Sequence, residues 1–159
     1  MFNSGKRCCG VGRIYVHEDL FEAFTAMFAD SVRDYVLGDP TDPATTLGPV
    51  VQVSAAEGIR AVIANAVASG ARTLIDPADF PAAKPGSAYV APQVLVDVTD
   101  DMALMREATF GPLVGIAPVA SDHQAIQRTN NSPYGPAART WPPTPTAAAP
   151  PGPRLAHAP

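Results

Sequence analysis

Arg13-Ile14-Tyr15-Val16-His17-Glu18-Asp19-Leu20-Phe21 decides the fold, because its periodicity changes halfway along. Arg13 to His17 is β-branched and aromatic, with Gly12 before it and acids after it, and reads as a strand. From Glu18 onward, Leu20, Phe21, Phe24, Met27, Phe28, Val32 and Tyr35 recur at spacings of three and four, the apolar stripe of a helix. Glu18 and Asp19 suit the positive end of that helix. Gly38-Asp39-Pro40 is expected to stop it.

Working outward, the same alternation repeats. Ser54 with Glu57 three residues on has the form of a capping box. Ile59, Val62, Ile63, Ala66 and Val67 then supply a buried helix face, and Gly70 stands where a C-terminal cap glycine belongs. Arg72-Thr73-Leu74-Ile75, Ala88-Tyr89-Val90 and Gln93 to Val98 read as strands. Asp101 to Glu107 is a short helix or turn. Leu113-Val114-Gly115-Ile116-Ala117 is a nearly continuous apolar run, as in a strand buried on both faces. Ser121 caps a last helix, Asp122 to Thr129. The expected class is α/β, with a mostly parallel sheet and flanking helices.

Composition divides the chain into a globular part, residues 1–135, and a tail, residues 136–159. The tail holds eight of the eighteen prolines and, with seven alanines, is mostly proline and alanine. It is poor in backbone donors and in large apolar side chains, with only Trp141 and Leu155, so it is expected to be disordered. The net charge of −4 argues against nucleic acid or anionic lipid as main partners. No apolar run approaches the roughly 20 residues of a membrane span, and the N-terminus shows no secretory h-region. The two cysteines are adjacent, so they cannot staple distant segments. A cytoplasmic, reducing setting is expected. Asn130-Asn131-Ser132 matches a glycosylation acceptor, which carries no weight without a secretory route.

Chemistry centres on Asn3-Ser4-Gly5-Lys6-Arg7-Cys8-Cys9-Gly10. A thiolate is the nucleophilic form of cysteine. Lys6, Arg7 and a helix starting near Gly5 would each favour it at Cys8. The competing reading is an inert cysteine. His17, His123 and His157 are scattered, so no metal site is expected. Gly10-Val11-Gly12 precedes a strand and is no dinucleotide fingerprint.

Six motifs in order carry a resemblance. They are Asn3 to Gly10 with Arg13 to Asp19, Gly38-Asp39-Pro40, Leu47-Gly48-Pro49, Ala91-Pro92-Gln93-Val94-Leu95, Glu107-Ala108-Thr109-Phe110-Gly111-Pro112 and Asn130-Asn131-Ser132-Pro133-Tyr134-Gly135. Together they resemble the aldehyde dehydrogenase superfamily from its catalytic cysteine onward.

The resemblance implies oxidation of a small-molecule aldehyde with NAD or NADP. It makes Cys8 the catalytic thiol, whose backbone N–H helps hold the oxyanion, and Cys9 a bystander. Phe110 takes the place of the phenylalanine beside the nicotinamide, against a reading of Phe110 as plain core packing. Ala108 replaces the glutamate that holds the nicotinamide ribose. Lys6 stands where glutamine or glutamate is usual, and Met1 where an aromatic is usual. The family's cofactor domain, general-base glutamate and oxyanion-hole asparagine all precede the cysteine, and its oligomer-forming strands follow residue 135. A fragment truncated at both ends is therefore expected, with Met1 an internal start and no turnover on its own. The alternative is a non-catalytic remnant that at most associates with a homologue.

Overall fold

Branched and leucine side chains at successive positions make Gln93–Val96 and Leu113–Val119 the buried centre of a sheet. The computed structural model describes residues 1–7 and 10–131. Cys8 and Cys9, the end of the Asn130–Gly135 motif and the proline-rich tail, 136–159, lie outside the described residues. The elements are β1 (Arg13–His17), α1 (Glu18–Arg33), α2 (Val53–Ala68), β2 (Arg72–Thr73), β3 (Gln93–Val96), α3 (Ala103–Arg106), β4 (Leu113–Val119) and α4 (Asp122–Asn130).

The strand order is β1-β4-β3-β2. β4 pairs in parallel with β1, Arg13 opposite Gly115, and with β3, Gln93 opposite Leu113. β2 runs antiparallel to β3. The mostly parallel α/β architecture expected from the sequence is the one observed. Beyond Gly115, β4 is bordered by β1 alone, which is where Pro118 falls.

Each sheet face has its own cover. Val94, Val96, Val114 and Ile116 face α1, where Ala29 and Val32 are buried and Phe21, Phe24 and Phe28 are half-buried. Leu95, Leu113 and Ala117 face α2 and α3 through Ala66, Leu104 and Met105. A third cluster joins Val50, Ala56, Ile59 and Val90.

Several boundaries differ from the sequence expectation. Leu20 and Met27 are 62% and 72% exposed. At 100° per residue they lie roughly 110° and roughly 130° from the middle of the Phe21–Thr25–Phe28–Val32 line, so the spacing rule admitted them while the packed arc does not. α1 stops at Arg33, before Gly38, because the Val36 carbonyl accepts the Thr46 and Leu47 amides instead, both at 3.0 Å. The capping box at Ser54 does not form: α2 starts at Val53 with Gln52 as an uncapped N-cap, placing Ser54 inside the first turn. Val67 is 46% exposed, and Ala56 takes a buried place instead. Ala88–Val90 is no strand. Arg60 Nη2 donates to the Lys84, Ser87 and Tyr89 carbonyls at 3.1, 3.0 and 2.8 Å, so an arginine replaces a neighbouring strand there. β3 ends at Val96 because Asp97 turns left-handed, φ 58°.

Gly70 closes α2 as expected. With φ +104°, it lets its own N–H reach the Val67 carbonyl and that of Ala71 reach the Ala66 carbonyl, both at 3.0 Å, a Schellman closure. Gly58, by contrast, sits inside α2 with open space where a Cβ would go. Gly58→Ala should therefore stabilise the chain by about 0.5–1 kcal/mol, read by urea denaturation.

Ser121 caps α4 as expected, accepting from the Gln124 N–H at 3.3 Å. Arg128 then ties α4 to the sheet: Nη2 meets Asp100 at 2.6 Å, Nη1 donates to the Pro118 carbonyl at 3.1 Å, and the guanidinium lies 4.9 Å from the Tyr15 ring centre. Burial, then the nearby Asp100 carboxylate, holds the Tyr15 phenol above its ordinary pKa. The unfolded chain would release this proton first. Stability from Tyr15 is thus complete below the ordinary tyrosine value of about 10 and is lost as pH rises through the higher folded value. Denaturation midpoints should fall above pH 10 in the parent and fall less steeply in Tyr15→Phe. Equal slopes would contradict this. Among the described residues, no helix is long and apolar enough to cross a membrane.

Candidate functional site

The N-terminal segment begins with a short 3-10 turn, Phe2–Gly5, of left-handed backbone. Asn3, Ser4 and Gly5 are all left-handed, with φ of 52°, 54° and 73°, and the Lys6 N–H closes on the Asn3 carbonyl at 3.0 Å. Among the described residues no α-helix starts near Gly5; the 3-10 turn ends there. Left-handed backbone is unfavourable for Ser4, so the turn needs external support.

That support comes from two distant loops. Ser4, 1% exposed, donates its hydroxyl to the Gly48 carbonyl at 2.6 Å. Lys6 Nζ donates to the Pro49 carbonyl at 2.8 Å. A Cβ at Gly5 would overlap the Gly111 carbonyl oxygen and lie 3.0 Å from Gly111 N. A Cβ at Gly111 would in turn fall on the Ile59 side chain of α2. Behind the cluster, the Gln93 N–H donates to the Pro112 carbonyl at 2.8 Å and the Val50 N–H to the Ala88 carbonyl at 2.9 Å. Four of the six quoted motifs, separated by up to a hundred residues, meet where β3 and β4 start. Open α/β sheets more often bind at the carboxyl ends of strands. Here the segment leads into β1 instead of following a strand.

Lys6 was expected to act on Cys8 as a neighbouring cation. Its ammonium donates to the Pro49 carbonyl, so its position is set by the loop, while its distance to Cys8 lies outside the described residues. Cys8 itself lies outside the described residues; Arg7 precedes it, and the Gly10 N–H returns to the Arg7 carbonyl at 3.0 Å. Phe110 is 55% exposed and belongs to none of the three apolar clusters, so it does not pack in the core of the described residues. Ala108 and Glu107 are exposed. Backbone at Glu107 is extended, φ −105° and ψ 154°, so the two side chains diverge.

Two groups were not found from sequence. Ser4 gave no signal beyond being small and polar in a turn. The Gly5–Gly111 approach is visible only as two glycines with no local need for each other. Nearby, the Thr41 backbone N–H and then its hydroxyl hold the Asp39 carboxyl below its ordinary pKa, which fixes the turn of the Gly38-Asp39-Pro40 motif. No group of three His, Cys, Asp or Glu that could hold a metal occurs among the described residues. A groove of about 270 Å³ lies elsewhere, between α1 and the Arg72–Leu74 edge.

The described residues thus form a mostly parallel α/β unit whose motif loops gather at the start of its central strands. The chain belongs to the aldehyde dehydrogenase family, whose sequence profile matches residues 1–149. It is 30% identical over 143 residues to human 2-aminomuconic semialdehyde dehydrogenase, covering 87% of this chain and 29% of that protein. It is 35% identical over 139 residues to the NADP(+) succinate-semialdehyde dehydrogenase of Mycolicibacterium paratuberculosis, covering 87% of this chain and 29% of that protein. The crystal structure of aldehyde dehydrogenase 21 from Physcomitrella patens, in complex with the reaction product succinate, superposes with a TM-score of 0.75 at 31% identity, covering 83% of this chain and 26% of that one. The chain thus spans under a third of the length of these relatives.

Proposed function

We propose that this chain carries the nucleophile segment of an NAD(P)-dependent aldehyde oxidation. The observation that supports it is the meeting of the Ser4–Lys6 segment with the Gly48-Pro49 and Gly111-Pro112 loops. Nucleophile-side and cofactor-side motifs gather at one place, as a shared reaction centre requires. The Cys8 thiolate would attack the aldehyde carbon to form a thiohemiacetal, whose oxyanion the Cys8 backbone N–H helps hold. A bound nicotinamide would supply the hydride acceptor. The resulting Cys8 thioester is then released by water.

The described residues fit that cofactor only in part. Phe110 offers an exposed apolar face to a nicotinamide ring, while Ala108 offers no acceptor to a ribose. Both semialdehyde dehydrogenases above act on aldehydes that carry a carboxylate, according to their names. For this chain the proposal is an aldehyde, with NAD or NADP as cofactor and a homo-oligomer as the working form of the complete enzyme.

The residues needed for a general base and a full cofactor site are expected elsewhere than in this chain. Alone, it should form no NADH or NADPH at 340 nm with a panel of aldehydes; turnover lost in Cys8→Ala would overturn that expectation. The catalytic role itself is read in a chimaera in which residues 1–131 replace the matching stretch of a full-length relative. Turnover there should disappear in Cys8→Ala, and its persistence would refute the role given to Cys8.

A further inference from the structure

We propose that Ser4 and Lys6 are positioning residues that clasp the nucleophile segment to the adjacent carbonyls of Gly48 and Pro49, so that Lys6 acts through place rather than through charge. The inference rests on the reading of Cys8 as the nucleophile.

Three observations carry it. Ser4 Oγ and Lys6 Nζ reach consecutive carbonyls of one loop, at 2.6 and 2.8 Å. Side chains two apart converge on one loop because Asn3, Ser4 and Gly5 are left-handed, a conformation unfavourable for a serine unless its surroundings hold it. The opposite side of the turn is closed by Gly111, whose carbonyl occupies the space a Gly5 side chain would need. The turn is therefore gripped on two sides, and Cys8 follows Lys6 by two residues. An ammonium held on a carbonyl is a fixed anchor. Its bond to Pro49 is what a neutral donor of similar reach could reproduce.

The Gly48-Pro49 loop can serve as an anchor because it is itself held. Leu47 is 1% exposed and its carbonyl accepts the Gly38 N–H at 3.1 Å, while the Val50 N–H is bonded to Ala88. Loss of either clasp bond should free the segment from a rigid support, and the two losses should not add, because each opens the same turn.

The test is the pH–rate profile of Cys8 alkylation by iodoacetamide, in the full chain with Cys9→Ala so that one thiol reacts. Ser4→Ala and Lys6→Met should each change the rate at pH 7 at least threefold, in the same direction. The double variant should show no more than the larger single effect, and Lys6→Gln, a neutral donor, should stay within twofold of the parent. Parent-like rates in Ser4→Ala or in Lys6→Met overturn the proposal, and so does Lys6→Gln matching Lys6→Met, which would leave charge as the role of Lys6. If circular dichroism shows that Ser4→Ala has not folded, the Lys6→Met and Lys6→Gln pair decides alone. Alkylation does not require aldehyde oxidation. A failure of the catalytic reading therefore appears in the turnover assay, and a failure of the clasp in the alkylation profile.

Discussion

Replacing Gly5 with alanine is expected to destabilise the docked N-terminal segment by about 3 kcal/mol, from roughly 1 kcal/mol for a left-handed alanine and roughly 2 kcal/mol for the steric overlap. The first contribution follows from φ +73° and the second from the Gly111 carbonyl oxygen standing where the Cβ must go. Neither can relax cheaply. The obstructing atom is backbone, and Gly111 has Ile59 of α2 behind it. The segment has a way out that a core position lacks: it can detach from the rest while the sheet stays folded. Global urea denaturation then reports only the docking energy of the segment. The better measurement is amide exchange at Lys6, whose N–H closes the turn on Asn3. Exchange should accelerate by about two orders of magnitude, the factor that 3 kcal/mol implies. An acceleration below about fivefold would show that the turn has another conformation available. Gly58→Ala is the control: it is the same substitution at a helix position with open space, and it should have the opposite sign.

That contrast shows what the sequence could and could not reveal. β1, β4, α4 and the close of α2 were legible because their determinants are local. They are the apolar run at Leu113–Ala117, the hydroxyl of Ser121 one residue before Asp122, and Gly70 after the last apolar position of α2. The errors arose where a distant group took over a local signal. Ala88-Tyr89-Val90 has strand composition, but Arg60 claims the Tyr89 carbonyl and Val50 the Ala88 carbonyl. Gly38 looked like the stop of α1, but Val36 had already turned its carbonyl to Thr46 and Leu47. Leu20 and Met27 satisfied the helical spacing, yet packing against the sheet selected the arc containing Thr25 and Ala29, whose small side chains allow close approach. At the candidate site, motif order singled out stretches that the fold brings together. The grip of Ser4 and Lys6 on Gly48 and Pro49 was invisible, because its acceptors are main-chain carbonyls some forty residues away.

Ala108→Glu should tighten cofactor binding in the chimaera by roughly thirtyfold, or about 2 kcal/mol, the usual worth of hydrogen bonds to a charged acceptor. Ala108 takes, by the proposal, the ribose-facing place in the Glu107–Pro112 motif. A methyl group there offers nothing to a ribose hydroxyl, whereas a carboxylate can accept from two. Glu107 cannot substitute, because the extended backbone at that residue sends side chains 107 and 108 in opposite directions. Nor should the new charge disturb folding. Ala108 is exposed, so the carboxylate stays hydrated until the cofactor arrives and carries no burial penalty in the free protein. Binding and stability are thereby separated: the Kd for cofactor, by calorimetric titration, should fall while the urea midpoint stays put. Glu107→Ala in the same chimaera should leave the Kd unchanged. An unchanged Kd in Ala108→Glu would place the ribose elsewhere, and a weaker Kd in Glu107→Ala would mean that the neighbouring carboxylate had already taken over the contact. If both behave as expected, the single alanine at 108 accounts for the weakest part of the cofactor-side loop, and Phe110, exposed two residues on, remains free to pack against the ring that the restored glutamate helps to hold in place.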